Sequence, residues 1–206
     1  FIGIVGGMGP DAGIALSKSI ILQTIAQKDQ EHLPQILYSF PESVPDRTEY
    51  LLGKITENPA FAISRILIAM ESIGVRYAAM ACNSAHAAQI FDVIVSELKN
   101  RNSRIRLLHM IEEVGKFIRD YYPSRTRIGI LGTTGTYRTR QYDLIRKFGL
   151  HTVNVSEKEQ EDVHNAIYHP DYGVKSSAGK VNDRTLKILH DSMVSLIQKG
   201  AELVIL

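Results

Sequence analysis

Two octapeptides, IGIVGGMG over Ile2–Gly9 and IGILGTTG over Ile128–Gly135, agree at five of eight positions and stand 126 residues apart. Each reads as a buried strand, a glycine turn and the start of a helix. The same offset carries Gly74, which precedes the apolar run leading to Cys82, onto Gly200, which precedes the run Ala201–Leu206. An offset that holds at two separated places implies a duplicated α/β half. The chain is therefore expected to form two pseudo-symmetric, Rossmann-like α/β lobes with parallel sheets, facing each other across a cleft. The first lobe is assigned to residues 1–110 and carries Cys82, and the second to 111–206.

Runs of strand length alternate with helical periods along the chain. Ile2–Val5 and Ile36–Phe40 read as strands. Pro10 opens a helix whose Ile14, Ile20, Ile21 and Ile25 form one apolar stripe. Pro41–Arg47 reads as a loop, Pro59–Ser72 as a helix stopped at Gly74, and Tyr77–Ala81 as a buried strand running into a helix over Ala85–Leu98. A strand at Ile105–Leu108 and a helix at Ile111–Tyr121 follow. The run Ala201–Leu206 reads as a buried strand cut short, so the second lobe is expected to be truncated at its C-terminus. The repeat offset places the counterpart of Cys82 at position 208, where a second thiol is expected.

Composition narrows the classes of function. Of 206 residues, 44% are hydrophobic and 22% charged, the balance of an ordinary globular protein with a sizeable core. A net charge of +2 argues against nucleic acid or an anionic membrane as partner. No apolar run reaches the ~18 residues of a spanning helix, and no leader precedes the first strand. A cytoplasmic location is expected. The single cysteine is either a core filler or a functional thiol.

Cys82 stands at the C-terminal end of a buried strand, where open α/β sheets bind their ligands. Backbone N–H groups at a following helix start can steady a thiolate there and ready the sulfur as base or nucleophile. Asn83 and Ser84 suit a helix cap, or the holding of a carboxylate. Thr133, Thr134 and Thr136 occupy the matching turn of the second half, as turn chemistry or as neutral hydroxyl donors. The glycines Gly3, Gly6, Gly7 and Gly9 miss the dinucleotide spacing, and no acidic residue follows where a ribose ligand would stand. His86 lies close enough in sequence to pair with the thiol, although a histidine with local partners is the plainer reading. The seven histidines show no metal spacing. Arg47 and Lys175 are lone bases in Pro- or Gly-marked loops, suited to solvent or to a second carboxylate.

Gly6–Pro10, Asp46–Thr48, Cys82–His86 and Gly132–Thr136 together resemble the aspartate/glutamate racemases, over essentially the whole chain. The commoner form of the cysteine motif has Thr where Ser84 stands, which keeps the hydroxyl. The resemblance implies two α/β lobes with the substrate between them, a homodimer, and a reaction needing neither pyridoxal phosphate nor metal, so no cofactor is expected. It also implies two-base chemistry in which one cysteine thiolate removes the α-proton of an amino acid and a thiol on the opposite face returns one. Cys82 matches the first. Asn83, Ser84, Thr133, Thr134 and Thr136 are then candidates for the α-carboxylate and amino group. Arg47 and Lys175 would take the side-chain carboxylate, and Met8 would line the cleft. The expected function is racemisation of aspartate first and glutamate second, yielding D-amino acids. The alternatives are a catalytically silent carboxylate binder of the same fold, or a related isomerase or decarboxylase with a lone cysteine.

Overall fold

In the computed structural model, which describes residues 1–177 and 180–206, seven short strands fall into two parallel sheets. The chain divides into two compact units, Phe1–Met110 and Ile111–Leu206. The fold is thus the α/β class with parallel sheets in two sets. Among the described residues no helix is long and apolar enough to cross a membrane.

The first unit contains β1 (Ile2–Val5), α1 (Pro10–Gln23), β2 (Gln35–Tyr38), α2 (Arg47–Leu51), α3 (Pro59–Ser72), β3 (Tyr77–Met80), α4 (Ala88–Asn100) and β4 (Arg106–Leu107). Its sheet has the order β2-β1-β3-β4. β1 pairs with β3 as Ile2↔Tyr77 through Val5↔Met80, so Val5, Ala78 and Met80 point to one face. That face meets Ile63, Leu67 and Met70 of α3 and Ile90 and Ile94 of α4 in one apolar cluster. Each of these five helix side chains is fully buried, worth about 2 kcal/mol apiece. Local chemistry fixes the ends of α3: Asn58 accepts from the Ala60 N–H, Pro59 begins the first turn, and Gly74 stops the chain at a φ of +100°.

α1 begins at Pro10 as expected, but its isoleucine stripe is not a core face. Ile14 and Ile21 are 55% and 45% exposed, Ile25 falls beyond the helix end, and Gly13 is the buried residue of the helix. A Cβ on Gly13 would lie 3.0 Å from Leu37 and 3.1 Å from the Gly6 backbone. Backbone-close packing through Gly13 therefore sets which side of α1 faces the sheet, overriding the hydrophobic period. Gly7, at a φ of +82°, makes the turn after β1, where a Cβ would meet the Pro41 nitrogen at 2.9 Å.

The second unit contains α5 (Met110–Tyr121, which begins at the junction), β5 (Arg127–Ile130), α6 (Thr134–Thr139), β6 (His151–Asn154), α7 (Glu157–Tyr168), α8 (Asp183–Gln198) and β7 (Leu203–Ile205). Its sheet order is β6-β5-β7. Ile128 and Ile130 pack with α5 and the 3₁₀ segment Gln141–Phe148, whereas Leu131 packs with Val163 of α7 and Leu196 of α8. α7 starts with a capping box: Ser156 accepts from the Glu159 N–H and the Glu159 carboxylate accepts from the Ser156 N–H.

The two sheets repeat one pattern. The first strand of each is central, flanked by the second strand on one side and a later one on the other. The offset that takes Ile2 to Ile128 also takes its partner Tyr77 to Leu203, and Ile128↔Leu203 is the observed register. The sequence repeat is therefore a repeat of strand pairing.

Candidate active site

β3 delivers Cys82 to the C-terminal edge of the first sheet, where it is 9% exposed and shares the apolar cluster with Met8, Val44 and Ala85. The backbone after it differs from the expected helix. Asn83–His86 is a single 3₁₀ turn, Ala87 is extended at φ −64° and ψ 139°, and α4 begins only at Ala88. A four-residue turn carries little dipole, and the helix start that would bring a full one is displaced from Cys82 to Ala88.

His86 does not pair with the Cys82 sulfur through Nδ1. Its Nδ1 lies 2.8 Å from the Cys82 carbonyl oxygen and donates to it. The ring is 2% exposed, stacked 5.3 Å from Phe91 and edge-on 4.9 Å from His109. Burial pushes its pKa down to about 4, only partly offset by the bond to Cys82. His86 is therefore a neutral prop that fixes the Cys82 backbone.

Arg47 stands in the first turn of α2 rather than in a loop. Asp46 caps that helix by accepting from the Glu49 N–H at 2.9 Å, which draws Arg47 inward to 7% exposure. Its Nη1 donates to the carbonyls of Pro45 at 2.9 Å and Val44 at 3.3 Å. No protein acceptor among the described residues reaches its buried Nε. A guanidinium buried this deeply leaves one N–H with hydrogen-bonding capacity still to be met.

α2 is tied to the cysteine turn by a contact that the sequence does not announce. The hydroxyls of Thr48 and Ser84 lie 3.4 Å apart, and both residues are buried. Ser84 thus joins the turn of Cys82 to the helix of Arg47, and half-buried Asn83 lies between Cys82 and Ser84. Met8, Arg47, Cys82, Asn83 and Ser84 all belong to the first unit.

The second unit holds the other candidates. Thr133 caps α6, its Oγ1 accepting from the Thr136 N–H at 3.3 Å and lying 3.3 Å from the Thr136 hydroxyl. Thr136 is 3% exposed and packs on Gly132, whereas Thr133 and Thr134 are half-buried. The Thr134 N–H donates to His164 Nδ1 at 3.4 Å. Buried Gln160 donates to the Gly132 carbonyl at 2.9 Å and holds the turn from below. Lys175 is exposed in a 3₁₀ turn, Val174–Ser176, and its Nζ donates to the Tyr168 hydroxyl at 2.8 Å. A pocket of about 310 Å³ is lined by Thr134, Tyr137, Arg138, Glu157, Gln160, Glu161 and His164. Among the described residues no group of three or more His, Cys, Asp or Glu could hold a metal ion.

Known proteins share this fold. The family model described as Asp/Glu/Hydantoin racemase matches residues 5–206. The aspartate racemase of Picrophilus torridus superposes with a TM-score of 0.79 at 26% identity, over 98% of this chain and 78% of that one. An aspartate racemase homologue from Pyrococcus horikoshii gives 0.67 at 20% identity, over 98% of this chain and 82% of that one. Glutamate racemase from Francisella tularensis in complex with D-glutamate gives 0.56 at 16% identity, over 99% and 75%. A thiol at the end of a central-sheet strand, a buried guanidinium on the helix joined to its turn through Thr48 and Ser84, and a duplicated parallel sheet come together with a match along nearly the whole sequence: the chain belongs to the Asp/Glu/hydantoin racemase family of isomerases.

Proposed function

We propose that the chain racemises an acidic amino acid, aspartate in the first place and glutamate in the second, by cofactor-independent exchange of the α-proton with Cys82 as one base. The observation that carries this reading is Arg47, whose buried guanidinium keeps an N–H without protein acceptor on a helix joined to the Cys82 turn through Thr48 and Ser84. A guanidinium matches a carboxylate bidentately, and a substrate with a side-chain carboxylate would satisfy it. The 26% identity with an aspartate racemase supports aspartate before glutamate.

In this reading Arg47 and Lys175 bind the side-chain carboxylate. Asn83, Ser84, Thr133, Thr134 and Thr136 hold the α-carboxylate and amino group. Such donors are needed because the α-proton of an amino-acid carboxylate is very weakly acidic, and negative charge spreading onto the carboxylate in the transition state must meet preorganised dipoles. Met8 lines the site near the reacting carbon. The Cys82 thiolate takes the α-proton, and the planar carbanion is reprotonated from the opposite face. The two-thiol form of the reaction requires a second thiol after β7, in the place equivalent to Cys82. A homodimer working in the cytoplasm belongs to the same reading and is supported by the family resemblance.

The test is deuterium uptake at the α-carbon of L- and D-aspartate in D₂O, wild type against Cys82→Ala. We expect uptake from both enantiomers with wild type, and a fall of about 10³-fold or more when the base is removed. Binding of aspartate without any uptake would leave a silent carboxylate binder. Uptake undiminished in Cys82→Ala would remove Cys82 from the chemistry.

A further inference from the structure

One face of α7 joins two of the second-unit residues that the function above assigns to substrate, Thr134 and Lys175. His164 and Tyr168 stand one helical turn apart, with ring centroids 4.9 Å apart and planes within 16°. At one end of the stack, His164 Nδ1 accepts the Thr134 N–H. At the other, Lys175 donates to the Tyr168 hydroxyl at 2.8 Å, and its Nζ lies 4.0 Å from the centre of the same ring. The chain between them is shaped to bring Lys175 back. The Gly173 N–H donates to the His169 carbonyl at 2.8 Å, and a Cβ on Gly173 would collide with His169 backbone at 2.6 Å. The Ser176 hydroxyl closes the same turn on the His169 carbonyl at 2.9 Å.

We propose that Tyr168 is a positioning residue that sets the direction of the Lys175 ammonium, with His164 fixing the plane of the Tyr168 ring. This rests on the reading of Lys175 as an anchor for the substrate's side-chain carboxylate. A lysine has a long flexible stem, and ordering it before substrate arrives removes an entropic cost from binding. A phenol oxygen and an aromatic face both attract the cation through partial charges, which orients the ammonium without neutralising it. A residue that acts in this way strengthens binding of the acidic side chain and leaves the proton-transfer step alone.

The experiment is a double-mutant cycle on the full chain with Tyr168→Phe, Lys175→Ala and the pair, reading kcat and KM for aspartate and aspartate affinity by calorimetry. Tyr168→Phe keeps the ring and its packing and removes the acceptor oxygen. We expect it to raise KM and Kd about fivefold while kcat holds within about twofold, the signature of lost ground-state binding. On the Lys175→Ala background the same change should move KM and Kd less than about twofold, because the two residues act as one unit. An equal effect of Tyr168→Phe on both backgrounds, an effect confined to kcat, or no effect at all would overturn the positioning role. Lys175→Ala with unchanged KM and Kd would sink the carboxylate-anchor reading itself, and the positioning role with it.

Discussion

At His86 a single ionisation couples the cysteine turn to pH. Desolvation holds its imidazole at a pKa of about 4, against an ordinary value of 6.5. The folded state therefore favours the neutral ring. Its contribution is fully present above pH 6.5 and is lost as pH falls through the folded value near 4. A shift of this size corresponds to about 3 kcal/mol at ~1.36 kcal/mol per unit. Urea unfolding at steps from pH 7 to 4 should show this loss, and His86→Gln should flatten the profile across that window. The carboxyls of Glu71, held low by Ser103, and Glu202, held low by the Arg127 N–H, act only at the acid end of that window and below it, since their contributions fade as pH drops under 4.5. The candidate residues Cys82, Arg47 and the threonine turn could be singled out at this scale, because they sit in compact motifs. Thr48, His164 and Tyr168 could not, for their roles depend on partners 36, 30 and 7 residues away. Spacing alone gives no sign of such contacts.

Elements were readable where apolar runs met glycine or proline. β1, β3 and α3 have such borders, and they stand within a residue of where the pattern puts them. β6 reads His-Thr-Val-Asn, with one strongly apolar residue in four, and as the edge strand of its sheet it needs no second buried face. The 3₁₀ turn after Cys82 escaped because Ala87 has no feature that marks an extended residue; the helix is delayed by backbone geometry alone. α7 was not read from the sequence either, although its Ser156–Glu159 capping box is a sequence signature. Ser156→Ala should cost about 1 kcal/mol of stability by urea titration, since the cap and the hydroxyl partner of Glu159 go together. Aspartate KM should stay within about twofold, because the change lies three turns from Tyr168.

For the molecule as a whole, the repeat was the most informative signal. An offset read from glycines predicted equivalence, and strand register reproduces it at Ile2↔Tyr77 and Ile128↔Leu203. The isoleucines of α1 misled because a helix can approach a sheet through a glycine as well as through an apolar stripe. Ligand linkage tests the functional reading at this scale. Aspartate at a hundred times its Kd should stabilise the fold by about 2.7 kcal/mol in thermal or urea unfolding, and dinucleotides should not. Arg47→Met should abolish that response and, by replacing a buried charge with an apolar side chain of similar reach, raise the melting temperature of the unliganded protein. Directed evolution for heat resistance and directed evolution for turnover would then pull position 47 in opposite directions, and a screen on thermal survival alone would enrich for sequences that no longer recognise their substrate.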